Sequence, residues 1–144
     1  MVLMRGNGDD MDLDTWLKEK IWPAEAGLTP EDVYWGAQLA IAEMLESGAG
    51  SMVDMYFHMD EVARAVDESG FKAILGWSVA ELAGHPAVQV ARARKFIADW
   101  QGKSDRIRPA LAPHSSYACT MEFLRQFAPE PGDPTPLEVH LAET

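Results

Sequence analysis

Between residues 29 and 48 the chain reads as one amphipathic helix. The apolar residues Val33, Ala37, Ala40, Ile41, Met44 and Leu45 return at helical spacing with polar positions between them. Thr29 suits the N-cap, Pro30 the first helical position and Asp32 the far side of a capping box, and Gly48 supplies a stop. The pattern then changes period. "SMVDMYFH" from Ser51 predicts a buried strand, residues 60–69 a second helix closed by Ser69-Gly70, and "FKAILGW" from Phe71 another strand. Residues 86–100 predict a helix with proline at its start, "RIRPALAP" from Arg106 a third strand and 119–127 a short helix. Leu137–Leu141, after the break at Pro136, alternates as a fourth strand would.

Strand and helix in alternation with short connections predict an α/β fold of about four parallel strands joined by right-handed crossovers with flanking helices. Two stretches interrupt the rhythm. Residues 1–28 carry a helix ("DLDTWLKEKIW") with no strand before it, and "APEPGDPTP" at 128–136 places four prolines where a longer helix is expected, so it reads as a rigid loop. Four strands cannot close a barrel of eight, and an open sheet exposes its edges.

Composition narrows the function classes. With 144 residues and 47% hydrophobic content the chain is long and apolar enough for one globular core. A net charge of −11 argues against a nucleic acid or an anionic membrane surface as partner. No apolar run reaches the roughly 20 residues of a membrane span. The N-terminus lacks the features of a signal peptide. A single cysteine, Cys119, excludes an internal disulfide and fits a reducing cytoplasm.

Functional groups of parallel α/β folds gather where strands end. Three such ends carry histidine: His58, His114 and His140. Together they would line one rim, although each alone also fits a hydrogen-bonded structural role, and Asp60 could satisfy His58 locally. His85 precedes a proline at a helix start and reads as a surface residue. Cys119 fits core or cap better than nucleophile, and Trp16, Trp22, Trp35 and Trp100 fit helix packing. "DDMDLD" suits a solvated helix start, and "RGNGDD" lacks the strand-turn-helix context of a phosphate loop.

Four blocks taken in order, "WLKEKIWPAEAGLTPEDVYWGAQLAIAEMLESG", "VDMYFHMDEVARAVDESGFKAIL", "RIRPALAPHSSYAC" and "EVHLAET", resemble the metal-dependent amidohydrolase superfamily. The branch they resemble most is the 5-methylthioadenosine/S-adenosylhomocysteine deaminases and related chlorohydrolases. The resemblance spans nearly the whole chain. It implies a partial (β/α)8 TIM barrel and a zinc-dependent aminohydrolase that deaminates a purine nucleoside derivative through metal-activated water. By the same resemblance His140 is a metal ligand and Glu143 handles the proton and contacts the substrate. His114 contacts the substrate, and Glu25 binds a ribose. The implied partner is a small molecule, with a homo-oligomer conceivable for the full-length protein.

Departures from the family pattern accompany these expectations. The chain has no His-x-His and nothing after Thr144, so residues 1–144 read as a central piece of a larger enzyme lacking the first strand and strands six to eight. Such a piece would be inactive alone. Trp77 stands where nucleoside deaminases often carry arginine, which leaves open another heterocycle (a triazine or guanine-like ring) as substrate. A non-catalytic fragment or pseudoenzyme is the remaining alternative.

Overall fold

The computed structural model of the chain describes residues 2–128 and 131–143. Three parallel strands form one sheet in the order β1-β2-β3: β1 Ser51–Tyr56, β2 Lys72–Val79 and β3 Ile107–Pro113. Ser51 pairs with Lys72 and Ala73 with Ile107, so the strands run in register from one end of the sheet to the other. The helices are α1 (Leu13–Trp16), α2 (Trp22–Glu25), α3 (Pro30–Glu46), α4 (Met59–Ser69), α5 (Pro86–Trp100) and α6 (Met121–Arg125). The alternation anticipated from the hydrophobic pattern is present, and the boundaries of α5 match it.

The helix starts follow from local chemistry. Thr29 and Asp32 form a reciprocal capping box at α3: the Thr29 hydroxyl accepts from the Asp32 backbone N–H at 3.2 Å and the Asp32 carboxylate accepts from the Thr29 N–H at 2.9 Å. At α1 the Asp12 carboxylate accepts from Thr15 N–H at 3.0 Å, a one-way cap that fits the helix-start reading of "DDMDLD". Between α1 and α2 the turn widens to a π-helix over Leu17–Ile21. Pro23 explains it, because proline has no N–H for the carbonyl four residues back and its ring crowds that carbonyl.

One face of the sheet packs on helices. Ala73 and Leu75 of β2 join Met59, Val62, Ala63, Ala65 and Val66 of α4, Ile41 of α3 and Phe96 and Trp100 of α5 in the main core. Val79 belongs to a second cluster with Ala93, Cys119, Phe123 and Phe127. The half-buried Trp77 lies between the two, its ring 6.4 Å from that of Phe96. Of the tryptophans expected to pack, Trp100 is buried, whereas Trp22 and Trp35 remain largely exposed.

The expected fourth strand is reduced to two isolated parallel bridges, Leu111 with Leu137 and Ser115 with His140. Pro113 accounts for the gap. It has no N–H to donate between the two bridges, and Ser115 follows Leu111 by four positions whereas His140 follows Leu137 by three. The β3 side therefore carries one extra residue, as in a bulge. Of the proline-rich stretch, Pro129 and Glu130 lie outside the described residues. The remainder forms a turn, in which Pro134 accepts a hydrogen bond from Arg108 at 3.0 Å.

On the other face of β2, Gly76 is where backbone and side chain approach closely. A Cβ there would overlap Ala112 Cβ and stand 2.8 Å from Glu138 Oε2. Two predictions follow from the packing. Gly76→Ala should gain about 0.4–1 kcal/mol from a stiffer unfolded chain but lose about 1–3 kcal/mol to overpacking. A net lower urea midpoint is expected, and an unchanged or higher midpoint would contradict the overlap. The Asp54 carboxyl, on β1, is pushed above its usual range by burial. The folded state therefore holds this proton more tightly than the unfolded chain does. That contribution is complete below the ordinary carboxylate pKa of about 4 and is lost as pH rises through the raised value. Asp54→Asn should accordingly gain stability relative to the parent as pH rises from about 4, measured as urea midpoints across pH. A difference independent of pH would exclude this account.

Candidate functional site

The carboxyl ends of the strands meet at one rim, and β3 delivers the residue at its centre. His114 follows Pro113, its backbone N–H donating to Val79 O at 2.8 Å and its carbonyl accepting from His140 N–H at 2.8 Å. These two bonds tie the rim to β2 on one side and to the carboxyl-terminal segment on the other. The imidazoles of His114 and His140 stand edge to face with ring centroids 4.8 Å apart. His114 Nδ1 is paired with Ser115 Oγ at 2.9 Å. Burial first, and then the positive charge His140 can carry, hold the His114 pKa below its usual value, with Glu143 acting in the opposite direction. His114 is therefore a neutral imidazole at neutral pH, with Nδ1 occupied by Ser115 and Nε2 suited to a heteroatom of a ligand.

Glu143 comes to the same place from the tail. Ala142 before it adopts a left-handed conformation at φ 52°, a strained state for a residue with a Cβ. The Tyr117 pKa is raised, by burial first and then by the neighbouring Glu143 carboxylate. The Tyr117 ring meets the His114 ring edge-on at 5.7 Å. Below this group, both carboxylate oxygens of Glu138 are buried without a hydrogen-bond partner among the described residues. Its pKa is pushed up to about 7, by burial first and by the charge of Asp54 second.

The loops around the rim are pinned. Gln89 Oε1 accepts from Ala80 N–H at 2.8 Å, and its Nε2 donates to the carbonyls of Ala80 and Gly84. Glu81 accepts from both the N–H and the hydroxyl of Thr120 at 2.7 Å. The Ser115 hydroxyl accepts from Ala118 N–H at 3.1 Å, and Cys119 Sγ contacts Val79 O at 3.3 Å. The loops after β2 and β3 thus support one another, and His114 sits on a fixed base.

The sequence-derived candidates divide accordingly. His114 and His140 are brought together, with Glu143 close enough for its charge to act on His114. Glu25 stands over the end of β1, where it accepts a 2.7 Å hydrogen bond from Tyr56. No hydrogen bond among the described residues joins it to the other three. His58 caps α4 in a left-handed conformation against Phe57. Asp60, a local candidate to satisfy it, accepts from Trp100 Nε1 at 2.9 Å. His85 is exposed at the start of α5 and Cys119 is buried, as expected. Trp77 is half-buried between the two apolar clusters. Sequence reasoning missed Ser115, Tyr117 and Glu138. The first two lie in "HSSY", directly after His114, and Glu138 alternates with His140 on the predicted strand.

Among the described residues no three His, Cys, Asp or Glu side chains lie close enough to hold a metal ion. The donor set of this chain alone therefore does not fit a zinc ion, although the exposed imidazole of His140 is free to serve as one ligand of a larger set.

Comparison with known proteins gives a consistent result. The chain is 47% identical to a 5-methylthioadenosine/S-adenosylhomocysteine deaminase of Halothermothrix orenii, over 88% of this chain and 29% of that protein. It is 46% identical to the enzyme of the same name from Carboxydothermus hydrogenoformans, over 100% of the chain and 34% of the relative. It is 44% identical to a 5'-deoxyadenosine deaminase of Methanosarcina barkeri, again over 100% and 34%. It thus spans about a third of the length of these curated relatives. Among solved structures, an adenosine deaminase from Xanthomonas campestris with bound zinc superposes with a TM-score of 0.86 at 34% identity, covering 99% of this chain and 34% of that one. The open sheet and its helices correspond to part of a TIM-barrel amidohydrolase fold. The amidohydrolase family model matches residues 1–144, so the chain belongs to the amidohydrolase family.

Proposed function

We propose that these residues form one wall of the active site of a hydrolase that deaminates a purine nucleoside derivative of the 5-methylthioadenosine/S-adenosylhomocysteine type. The observation that carries the reading is the edge-to-face pairing of a neutral His114 with His140 at one rim, where the Glu143 charge also acts on His114. The names of the relatives support the substrate class. His140 would supply one ligand to a metal whose other ligands come from outside this chain. When bound, a divalent metal contributes the Lewis acidity that makes water a nucleophile at neutral pH.

The chain's own residues carry the rest. Attack of water on the amino-bearing ring carbon forms a C–O bond, and the C–N bond then breaks to release ammonia. Glu143 takes a proton from the water and gives one to the leaving amine, a role that needs a carboxylate free to gain and lose it. His114 orients the substrate through Nε2, since its Nδ1 is engaged by Ser115. Glu25, held by Tyr56, suits the two hydroxyls of a ribose, because an ionised carboxylate accepts from both. Because the described residues lack a complete metal-binding group, we expect the 144-residue chain alone to be silent.

The test uses the full-length protein and follows ammonia release from S-adenosylhomocysteine, 5-methylthioadenosine and 5'-deoxyadenosine. We expect turnover of at least one, and a fall in kcat of about 100- to 10,000-fold for Glu143→Gln. Turnover confined to triazines or guanine would overturn the substrate assignment. An unimpaired Glu143→Gln variant would overturn the proton-transfer role.

A further inference from the structure

Glu25 comes to the end of β1 from a segment outside the sheet. It closes the four-residue helix α2, and the segment is anchored on one side by the buried Ile21 and on the other by Leu28, which packs against the main core. Between these anchors Ala26 N–H donates to Trp22 O at 2.9 Å and Leu28 N–H to Glu25 O at 3.1 Å. The backbone is thereby fixed, but these bonds leave the carboxylate free to turn. A carboxylate in the last turn of a helix also lies near unpaired carbonyls, which repel it. It needs a donor from elsewhere to hold one direction.

Tyr56 supplies that donor from 31 positions away in the chain. Its phenol O–H donates to Glu25 Oε1 at 2.7 Å, a length typical of a bond to a charged acceptor. Among the described residues no other side chain hydrogen-bonds to Glu25 and no cation pairs with it. Tyr56 is itself held firmly. It is the last residue of β1, in register with Trp77 of β2, and it packs against the main core. Its ring stacks on Phe57 at 4.0 Å, and Phe57 meets His58 edge-on at 5.4 Å. Only Phe57 and His58 separate β1 from α4, and His58 makes the turn in a left-handed conformation at φ 52°. Backbone strain of this kind gathers where geometry matters more than stability. Burial first, and then the bond to Glu25 and its charge, raise the Tyr56 pKa, so the phenol keeps the proton it donates.

We propose that Tyr56 is a positioning residue that sets specificity for the sugar: by holding Glu25 Oε1 it leaves Oε2 to accept from the two hydroxyls of a ribose. The inference rests on the deaminase reading above, in which Glu25 meets the ribose. A carboxylate held in one direction discriminates, because a substrate without the hydroxyls leaves it unpaired, whereas a carboxylate free to swing turns to water. The assignment is specific to the Tyr56 hydroxyl, since phenylalanine keeps the packing of the ring.

The experiment takes whichever of 5-methylthioadenosine and 5'-deoxyadenosine the full-length wild type turns over faster, together with its 2',3'-dideoxy analogue. Ammonia release from both is measured for wild type, Y56F, E25A and the double variant, alongside crystal structures of wild type and Y56F. Wild type should favour the ribose substrate. For Y56F we expect kcat/KM on that substrate to fall about 10-fold, the scale of one hydrogen bond to a charged group, with the loss in KM and kcat changed less than about threefold. On the dideoxy analogue kcat/KM should change less than about threefold, so the preference shrinks. A merely structural tyrosine would lower both substrates alike and leave the preference intact. In the E25A background Y56F should remove no further preference, since both act through one carboxylate. With the preference lost in E25A, an unchanged preference in Y56F, or losses of preference that multiply in the double variant, would overturn the proposal. If wild type acts on no adenine nucleoside, or E25A keeps the full preference, the reading of Glu25 as the ribose ligand fails, and the crystal structures decide the positioning claim. A displaced Glu25 carboxylate in Y56F upholds it, and an undisturbed one overturns it.

Discussion

Three backbone hydrogen bonds join the carboxyl-terminal segment to β3, and the candidate site depends on them. Leu111 N–H donates to Pro136 O at 2.9 Å, Glu138 N–H to Leu111 O at 2.8 Å and His140 N–H to His114 O at 2.8 Å. The last of these brings two imidazoles from residues 26 positions apart in the chain to a ring separation of 4.8 Å. Pro113 interrupts the ladder between the second bond and the third, so the segment is held at two points and does not form a continuous strand. Without the outer bond, His140 and Glu143 would be a tail, and His114 a strand-end histidine with a serine for company.

The rim works because its two faces meet opposite requirements. Facing the helices, Ala73, Leu75 and Val79 bury apolar surface and fix β2 in place. On the opposite face, Gly76 leaves space that the Glu138 carboxylate enters, and that carboxylate finds no partner among the described residues. A buried carboxylate without a partner is expensive and shifts toward its neutral form, which its raised pKa reflects. Around it, Gln89 of α5 and Glu81 and Ser115 of the loops fix the ends of β2 and β3 by side-chain hydrogen bonds.

Much of this was legible in the sequence, because local rules governed it. The capping box at Thr29, the start of α5 at Pro86 and the alternation of strand and helix each follow from interactions within a few residues. The grouping of His114, His140 and Glu143 was reached through resemblance, and of the three the structure sets the two imidazoles 4.8 Å apart. What remained hidden was long-range. The choice of Trp100 by Asp60 spans 40 positions, and no local pattern announces it. The reduction of the fourth strand turned on one proline in the neighbouring strand. The place of Trp77 between the two apolar clusters, near Phe96, likewise depends on packing with a distant helix.

If residues 1–144 form one wall of a metal-dependent site, as we propose, His140 is the residue that faces the metal. The most direct measurement is metal content after dialysis, by elemental analysis, for the 144-residue chain, the full-length protein and full-length His140→Ala. The account predicts no stoichiometric zinc on the chain alone, about one zinc per full-length protein, and its loss in the variant. Full retention of zinc in His140→Ala, or stoichiometric zinc on the isolated chain, would contradict it.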